Sequence, residues 1–158
     1  METIIHALEI LRERKQTLAT AESITGGLLG GAITEIPGSS DVFIGGVVAY
    51  NEQTKSQLLG VDATLFAAHG VVSREVALAM AKGARERLGS TWALSTTGVA
   101  GPGPSNGVPA GLVWIAIAGP YAESAIFAEE LHLVGDRQEV RAATIARAFD
   151  AFTRILRG

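Results

Sequence analysis

Short apolar runs alternate with segments of helical periodicity along this chain of 158 residues. The runs Thr17–Ala21, Val42–Tyr50 and Trp92–Thr96 contain no charged side chain, which is typical of strands buried on both faces. Two further runs, Leu112–Ala118 and Ser124–Leu133, are expected to pair antiparallel across the turn between them. The pattern predicts an α/β fold, namely a three-layer α/β/α sandwich with a mixed, mainly parallel sheet.

Apolar side chains recur at helical spacing between these runs. Asp136 and Glu139 form the two ends of a capping box that begins a long last helix. Neither a repeat nor a low-complexity linker divides the chain, so residues 1–158 are predicted to form a single domain. The other predicted helices cover residues 2–15, 28–36, 51–59 and 73–88.

The composition narrows the possible functions. Hydrophobic residues make up 47% and charged residues 18% of the chain, against a usual charged share of about 25%, which excludes disorder. This apolar excess predicts a surface covered by a partner, most simply a second copy in a homodimer. The net charge is −3 and the basic residues are dispersed, so no nucleic-acid partner is expected.

Other features exclude several locations and chemistries. No apolar run reaches the roughly 18 residues of a membrane span, and the N-terminus lacks the apolar core of a signal peptide, so a cytoplasmic protein without a membrane partner is expected. The chain has no cysteine and three dispersed histidines, which leaves little support for thiol chemistry or a metal site.

Three polar, glycine-rich segments follow the ends of predicted strands: 22–27, 50–55 and 97–107. In α/β sheets, ligands bind beyond the carboxyl ends of the strands. We therefore expect the functional site where these three segments meet.

Ser23 and Lys55 are the candidate nucleophile and base. Ser23 lies between a strand and a helix, where its hydroxyl can act beside free N–H groups that stabilise an oxyanion, although the GxSxG pattern is absent. Helix capping is the alternative role for Ser23. Lys55 can take the serine proton if desolvation lowers its pKa, and Tyr50 can relay the proton or hold the lysine in place. A solvated Lys55, with Tyr50 at the edge of the core, is the alternative arrangement.

The loop Thr97–Gly103, which contains Gly98 and Gly101, can wrap a phosphate or a sugar with its backbone N–H groups. It has neither the dinucleotide spacing nor a Walker A lysine. Arg137 lies in the first turn of the last helix, where a cation opposes the helix dipole. A bound anion would explain its position, and a solvated arginine is the alternative.

Taken together, the motifs resemble the C-terminal domain family of the competence/damage-inducible protein CinA, in order over nearly the whole chain. The residues that carry this resemblance are Ala21-Glu22-Ser23-x-Thr25-Gly26-Gly27, Pro37-Gly38-Ser39-Ser40, Gly46-x-Val48-x-Tyr50 with Lys55, His69-Gly70-x-Val72-Ser73, Thr97-Gly98-x-Ala100-Gly101-Pro102, and Gly135-Asp136-Arg137 with Val140-Arg141.

This family includes nicotinamide-nucleotide amidases. The resemblance therefore implies hydrolysis of nicotinamide mononucleotide to nicotinic acid mononucleotide and ammonia, in pyridine-nucleotide salvage, by a homodimeric α/β/α sandwich. It implies no metal and no organic cofactor. Carried over by motif, Ser23 is the nucleophile, and Tyr50 and Lys55 are its activating pair. The nucleotide would be held by Ser40, Thr97 and Arg137, its phosphate by Arg137 and the 98–103 loop, and the oxyanion by N–H groups near Thr25-Gly26.

Two segments depart from the family pattern. Tyr50-Asn51-Glu52-Gln53-Thr54-Lys55 replaces the usual Tyr-Ser-Asn-Glu-x-Lys, and the segment 104–109 lacks the usual lysine. They motivate two alternatives: an amidohydrolase for another amide, and a catalytically silent homodimer that binds a nucleotide or a partner. The N-terminal domain of the longer family members is missing from this sequence, so its activity is expected to be absent.

Overall fold

The computed structural model describes residues 2–120 and 126–158. Within these ranges the helices are α1 (Glu2–Arg14), α2 (Leu28–Thr34), α3 (Glu52–Leu59), α4 (Thr64–His69), α5 (Arg74–Leu88) and α6 (Arg137–Arg157). The strands are β1 (Leu18–Glu22), β2 (Phe43–Val48), β3 (Trp92–Gly98), β4 (Leu112–Ala118) and β5 (Phe127–His132).

The five strands form one sheet in the order β2-β1-β3-β4-β5. β1 lies parallel to both β2 and β3, whereas β4 is antiparallel to β3 and to β5. The predicted mixed sheet is confirmed, with the refinement that parallel and antiparallel pairs are equal in number. Glu22 at the end of β1 is in register with Val48 of β2 and Thr96 of β3, so these three strands end at one edge.

Two apolar cores flank the sheet and confirm the three-layer α/β/α sandwich. Helices α1, α2 and α6 pack on one face, against large strand side chains such as Leu18, Leu94 and Ile115. Helices α3 and α5 pack on the other face, against alanines of the strands. The small side chains on that face let α5 lie close to the sheet, because packed interiors leave few voids.

Close packing also fixes helix α3 against α5. A Cβ atom at Gly83 of α5 would collide with the backbone carbonyl oxygen of Leu59 in α3. Glycine is therefore required where the two helices meet. Since α3 carries Lys55, this contact helps to position a candidate site residue.

Side chains at the helix ends explain where three helices begin. Asn51 accepts a hydrogen bond from the Thr54 N–H at the start of α3, and Ser73 accepts one from the Val76 N–H at the start of α5. The predicted capping box of Asp136 and Glu139 is present at the start of α6. The shifted asparagine of the Tyr50–Lys55 segment thus has a structural role as the cap of α3.

The structure differs from the sequence prediction at two elements. Helix α4, which ends at His69, is not among the predicted helices. Strand β3 continues through Thr97 and Gly98, which pair with β4, although these residues were predicted to begin a loop. Ser124 of the predicted fifth strand lies outside the described residues. Across residues 2–120 and 126–158, no helix is both long and apolar enough to cross a membrane.

Candidate active site

A buried hydrogen bond joins Ser23 to Lys55. The Lys55 Nζ atom lies 2.9 Å from Ser23 Oγ and 3.0 Å from the carbonyl oxygen of Ala49, and it donates to both. Ser23 follows β1 directly and its N–H donates to the Thr96 carbonyl oxygen of β3. Lys55 has no exposed surface and lies in the first turn of α3. The parallel register of β1, β2 and β3 thus brings together groups 32 positions apart in the sequence.

Burial changes the proton affinity of this lysine. Desolvation lowers the pKa of Lys55 from 10.5 to about 8, and the nearby Glu52 carboxylate opposes part of that lowering. A neutral amine is therefore well populated near pH 8, within hydrogen-bonding distance of a serine hydroxyl. This is the arrangement in which a lysine can act as the base for a serine nucleophile.

Glu22, rather than Ser23, caps the following helix. The buried Glu22 carboxylate accepts hydrogen bonds from the Thr25 hydroxyl at 2.6 Å and from the N–H groups of Gly27, Leu29 and Gly30 at 2.8–3.1 Å. The Ser23 hydroxyl makes no capping bond to α2, so the capping alternative for this side chain is not supported. Glu22 fixes the turn that follows Ser23.

The three predicted segments line one open cleft of about 550 Å³ at the carboxyl ends of β1, β2 and β3. Ser23 and Lys55 lie at its base, since both are buried. The other predicted site residues in its lining are Tyr50, Thr97, Gly98, Gly101 and Arg137.

Arg137 joins two sides of this cleft. It donates to the carbonyl oxygen of Gly101 at 2.7 Å and to the Tyr50 hydroxyl at 3.1 Å. Tyr50 is 62% exposed and, among the described residues, its hydroxyl makes no hydrogen bond to Lys55. The structure therefore places Tyr50 at the rim with Arg137 and not in contact with the lysine. Thr97 donates from its hydroxyl to the Val71 carbonyl oxygen.

Ser40 is not brought to this cleft. It lies in a short 3₁₀ turn, Ser39–Asp41, where it is exposed and does not contribute to the cleft lining. The predicted oxyanion donors also need revision, because the Gly26 N–H already donates to the Ser23 carbonyl oxygen. Within the described part of the chain, the N–H groups of Ile24 and Thr25 have no acceptor.

Two residues near the site were not assigned a main role by sequence reasoning. Glu22 and Arg141 enter the sequence analysis only as parts of family motifs. Arg141 donates to the carbonyl oxygens of Ile24 and Thr25. Its position four residues after Arg137 places both arginines on one helix face, which is the signal that could have identified it. The described residues include no group of three or more histidine, aspartate or glutamate side chains arranged to hold a metal ion.

The fold and the site together define an α/β/α sandwich with a buried serine–lysine pair at the carboxyl edge of its sheet. The chain belongs to the CinA C-terminal domain family, whose model matches residues 2–156. The resemblance stated from the motifs is thereby confirmed.

Relatives in this family include much longer proteins. A CinA-like protein of Frankia casuarinae is 47% identical over 151 residues, which cover 96% of this chain and 34% of that protein. A CinA-like protein of Trichormus variabilis is 46% identical over 149 residues, which cover 94% of this chain and 36% of that protein. The chain thus spans about a third of the length of the curated relatives it matches.

Solved structures of similar length share the fold. The competence/damage inducible protein CihA of Agrobacterium tumefaciens superposes with a TM-score of 0.92 at 36% identity, covering 99% of this chain and 94% of that one. The competence damage-inducible protein A of Klebsiella pneumoniae superposes with a TM-score of 0.92 at 29% identity, covering 97% and 94%.

Proposed function

We propose that this chain is an amidohydrolase that converts nicotinamide mononucleotide and water to nicotinic acid mononucleotide and ammonia. The observation that supports an amidohydrolase is the 2.9 Å contact between Ser23 Oγ and the buried Nζ of Lys55, whose pKa is lowered to about 8. The choice of substrate follows from the motifs that the chain shares with the nicotinamide-nucleotide amidases of its family.

The first half-reaction acylates the serine. Neutral Lys55 takes the hydroxyl proton of Ser23 while Ser23 Oγ attacks the carboxamide carbon of the substrate. The carbonyl oxygen becomes an oxyanion, for which the N–H groups of Ile24 and Thr25, without an acceptor among the described residues, are the proposed donors. Protonated Lys55 then returns its proton to the amide nitrogen, the carbon–nitrogen bond breaks, and ammonia leaves.

The second half-reaction restores the enzyme. Lys55 accepts a proton from water, the water oxygen attacks the acyl carbon, and the ester bond to Ser23 breaks with return of the proton to Ser23 Oγ. The Ala49 carbonyl oxygen accepts from Nζ at 3.0 Å and keeps the lysine pointed at the serine. The product is the free carboxylic acid.

The cleft is compatible with a nucleotide. Its volume of about 550 Å³ lies within the roughly 300–1,000 Å³ of small-molecule sites. A guanidinium has five N–H donors, so Arg137 keeps donors for a phosphate while it binds Gly101 and Tyr50. We propose Arg137 and the Gly98–Gly101 backbone as the phosphate-binding elements, and Thr97 as a residue that positions the cleft wall.

The test is turnover of nicotinamide mononucleotide by the wild type beside Ser23→Ala and Lys55→Ala, with Lys82→Ala as a matched control on an exposed lysine. Ammonia and nicotinic acid mononucleotide are measured, and circular dichroism checks folding. The proposal expects product from the wild type and the control and a loss of at least about a thousandfold in the other two. Equal turnover by all four would place the reaction elsewhere. Binding of the nucleotide without turnover by the wild type would favour a silent binding protein.

A further inference from the structure

Arg141 binds the backbone of the turn that follows Ser23. From α6, its Nε atom donates to the Ile24 carbonyl oxygen at 3.1 Å and its Nη2 atom donates to the Thr25 carbonyl oxygen at 3.3 Å. The side chain is partly buried. A guanidinium is planar and rigid, so two N–H groups can fix two successive carbonyls in one geometry.

No other described group holds the first of these carbonyls. The Thr25 carbonyl oxygen also accepts from the Leu28 N–H, whereas the Ile24 carbonyl oxygen has only Arg141 as a hydrogen-bond donor in the described part of the chain. The turn continues into Gly26 and Gly27, both with positive φ, at 57° and 106°. Glu22 holds the Thr25 hydroxyl and the N–H groups that follow Gly26, whereas Arg141 holds the carbonyl of the Ile24–Thr25 peptide, so the orientation of this peptide depends in part on the arginine.

The orientation of that peptide decides where a backbone donor points. In a trans peptide the carbonyl and the N–H point in opposite directions, so the Thr25 N–H is directed away from Arg141. Thr25 has no exposed surface, and its N–H has no acceptor among the described residues. Buried backbone N–H groups are almost always paired, so an N–H without an acceptor directly after Ser23 and Ile24, which line the cleft, is a candidate donor to an oxygen bound there.

We propose that Arg141 is a positioning residue for the reaction: by holding the Ile24 and Thr25 carbonyls, it keeps the Thr25 N–H directed at the oxyanion that forms when Ser23 attacks. This role rests on the proposed serine amidase function and adds a residue to it. Arg141 touches neither the substrate nor Lys55 in this mechanism. Its contribution is confined to the transition state, where the oxyanion exists.

The test compares Arg141→Met and Arg141→Lys with the wild type and with Arg147→Met, a control on an exposed arginine of the same helix. Steady-state hydrolysis of nicotinamide mononucleotide gives kcat and KM, and release of p-nitrophenolate from p-nitrophenyl acetate gives the rate of Ser23 acylation without any nucleotide. Phenylboronic acid forms a stable tetrahedral adduct with a serine. Its inhibition constant therefore measures how well the site binds an oxyanion without any turnover. Thermal melting gives the folded fraction of each variant.

We expect Arg141→Met to lose about 100-fold in kcat and in the acylation rate, with KM within about threefold and the same pH dependence as the wild type. The inhibition constant for the boronic acid should rise at least tenfold. Arg141→Lys should recover part of the loss, because an ammonium can bind one of the two carbonyls. Arg147→Met should match the wild type.

Three results would overturn the role of Arg141. They are an unchanged kcat in a folded Arg141→Met, a rise in KM with kcat unchanged, and a loss of activity that only follows the folded fraction. If the wild type does not hydrolyse the nucleotide but Ser23 is acylated by the ester, the proposed substrate fails while the ester and boronate measurements still decide the role of Arg141. If the wild type shows neither reaction, the nucleophile and the role of Arg141 both fail.

Discussion

Burial of Lys55 lowers the stability of the folded protein and provides the base for the proposed reaction. A lowering of its pKa from 10.5 to about 8 means that keeping the proton on this side chain in the folded protein costs about 3 kcal/mol, at roughly 1.4 kcal/mol per pH unit. Hydrogen bonds to Ser23 Oγ and the Ala49 carbonyl oxygen offset part of that cost. An apolar side chain at the same position would avoid the cost and would leave the serine without a base.

This cost predicts a pH-dependent difference in stability between the wild type and Lys55→Met. Because the pKa is lower in the folded state, the unfolded state binds more protons between pH 8 and 10.5, and the wild type gains stability relative to the variant as pH rises through that window. We expect the difference in the free energy of unfolding to change by up to about 3 kcal/mol in favour of the wild type, as measured by urea unfolding at each pH. Lys82→Met, at an exposed lysine, should follow the wild type throughout. Parallel curves for the wild type and Lys55→Met would show that Lys55 titrates normally.

The same titration predicts the pH dependence of the reaction. Only neutral Lys55 can take the proton of Ser23, so kcat/KM should rise about tenfold per pH unit below about pH 8 and level off above it. The measurement is the initial rate of ammonia release at low substrate concentration from pH 6 to 9.5. A profile that is flat through this range would assign the base to another group.

At the scale of elements, the junction of β1 and α2 is held by one buried carboxylate. Glu22 accepts from the Thr25 hydroxyl and from three backbone N–H groups of the next helix turn. In Glu22→Gln, an amide NH₂ would face those donors and leave some of them unpaired. We expect a loss of about 2–4 kcal/mol in the free energy of unfolding, measured by urea titration. Glu35→Gln, at an exposed glutamate just after α2, should change it by less than about 0.5 kcal/mol, and an equally small effect of Glu22→Gln would contradict this account.

Elements with strong local signals could be predicted from the sequence, and those formed by distant contacts could not. Strand β4 has the predicted ends Leu112 and Ala118, and the capping box of α6 is in place. Helix α4 has only six residues, and none of them is fully buried, so apart from the Asp62 carboxylate that accepts from the Thr64 N–H its sequence carries little signal of a helix. Thr97 and Gly98 extend β3 because they pair with β4, a partner that the local sequence does not show.

The candidate site follows the same rule. Ser23 and Lys55 could be paired from the chemistry that a serine nucleophile requires, and the structure places their side chains in contact. The bond between Tyr50 and Arg137 joins residues 87 positions apart and depends on where α6 folds back, so sequence reasoning assigned Tyr50 to the lysine instead. Arg141 binds backbone carbonyls. Because every residue has a carbonyl, the sequence does not show which ones the arginine contacts.

At the scale of the whole molecule, two of the exposed large apolar side chains lie on β2, at the edge of the sheet. Strand β2 is an outer strand, and Ile44 and Val48 on it are 45% and 47% exposed. Its sequence Phe43-Ile44-Gly45-Gly46-Val47-Val48 contains no charged residue and no proline. Proteins usually protect such an edge with charges, prolines or bulges, because its unpaired N–H and C=O groups otherwise pair with another chain. On β2 the register shifts only at Ile44, and the stretch from Gly45 to Val48 is regular.

The homodimer is therefore proposed to form through this edge, with β2 of one copy beside β2 of a second in a two-fold arrangement. Light scattering should give the wild type a mass of twice 16.4 kDa at micromolar concentration. Val48→Lys should give a folded monomer, because a lysine on an edge strand opposes edge-to-edge pairing. Leu88→Lys, at an exposed apolar residue of α5, should leave the dimer intact. A monomeric wild type would reject the homodimer, and a Val48→Lys dimer would place its interface elsewhere.

Tyr50 lies two residues beyond Val48, so loss of the dimer should also raise KM for the nucleotide if pairing at this edge orders the rim of the cleft.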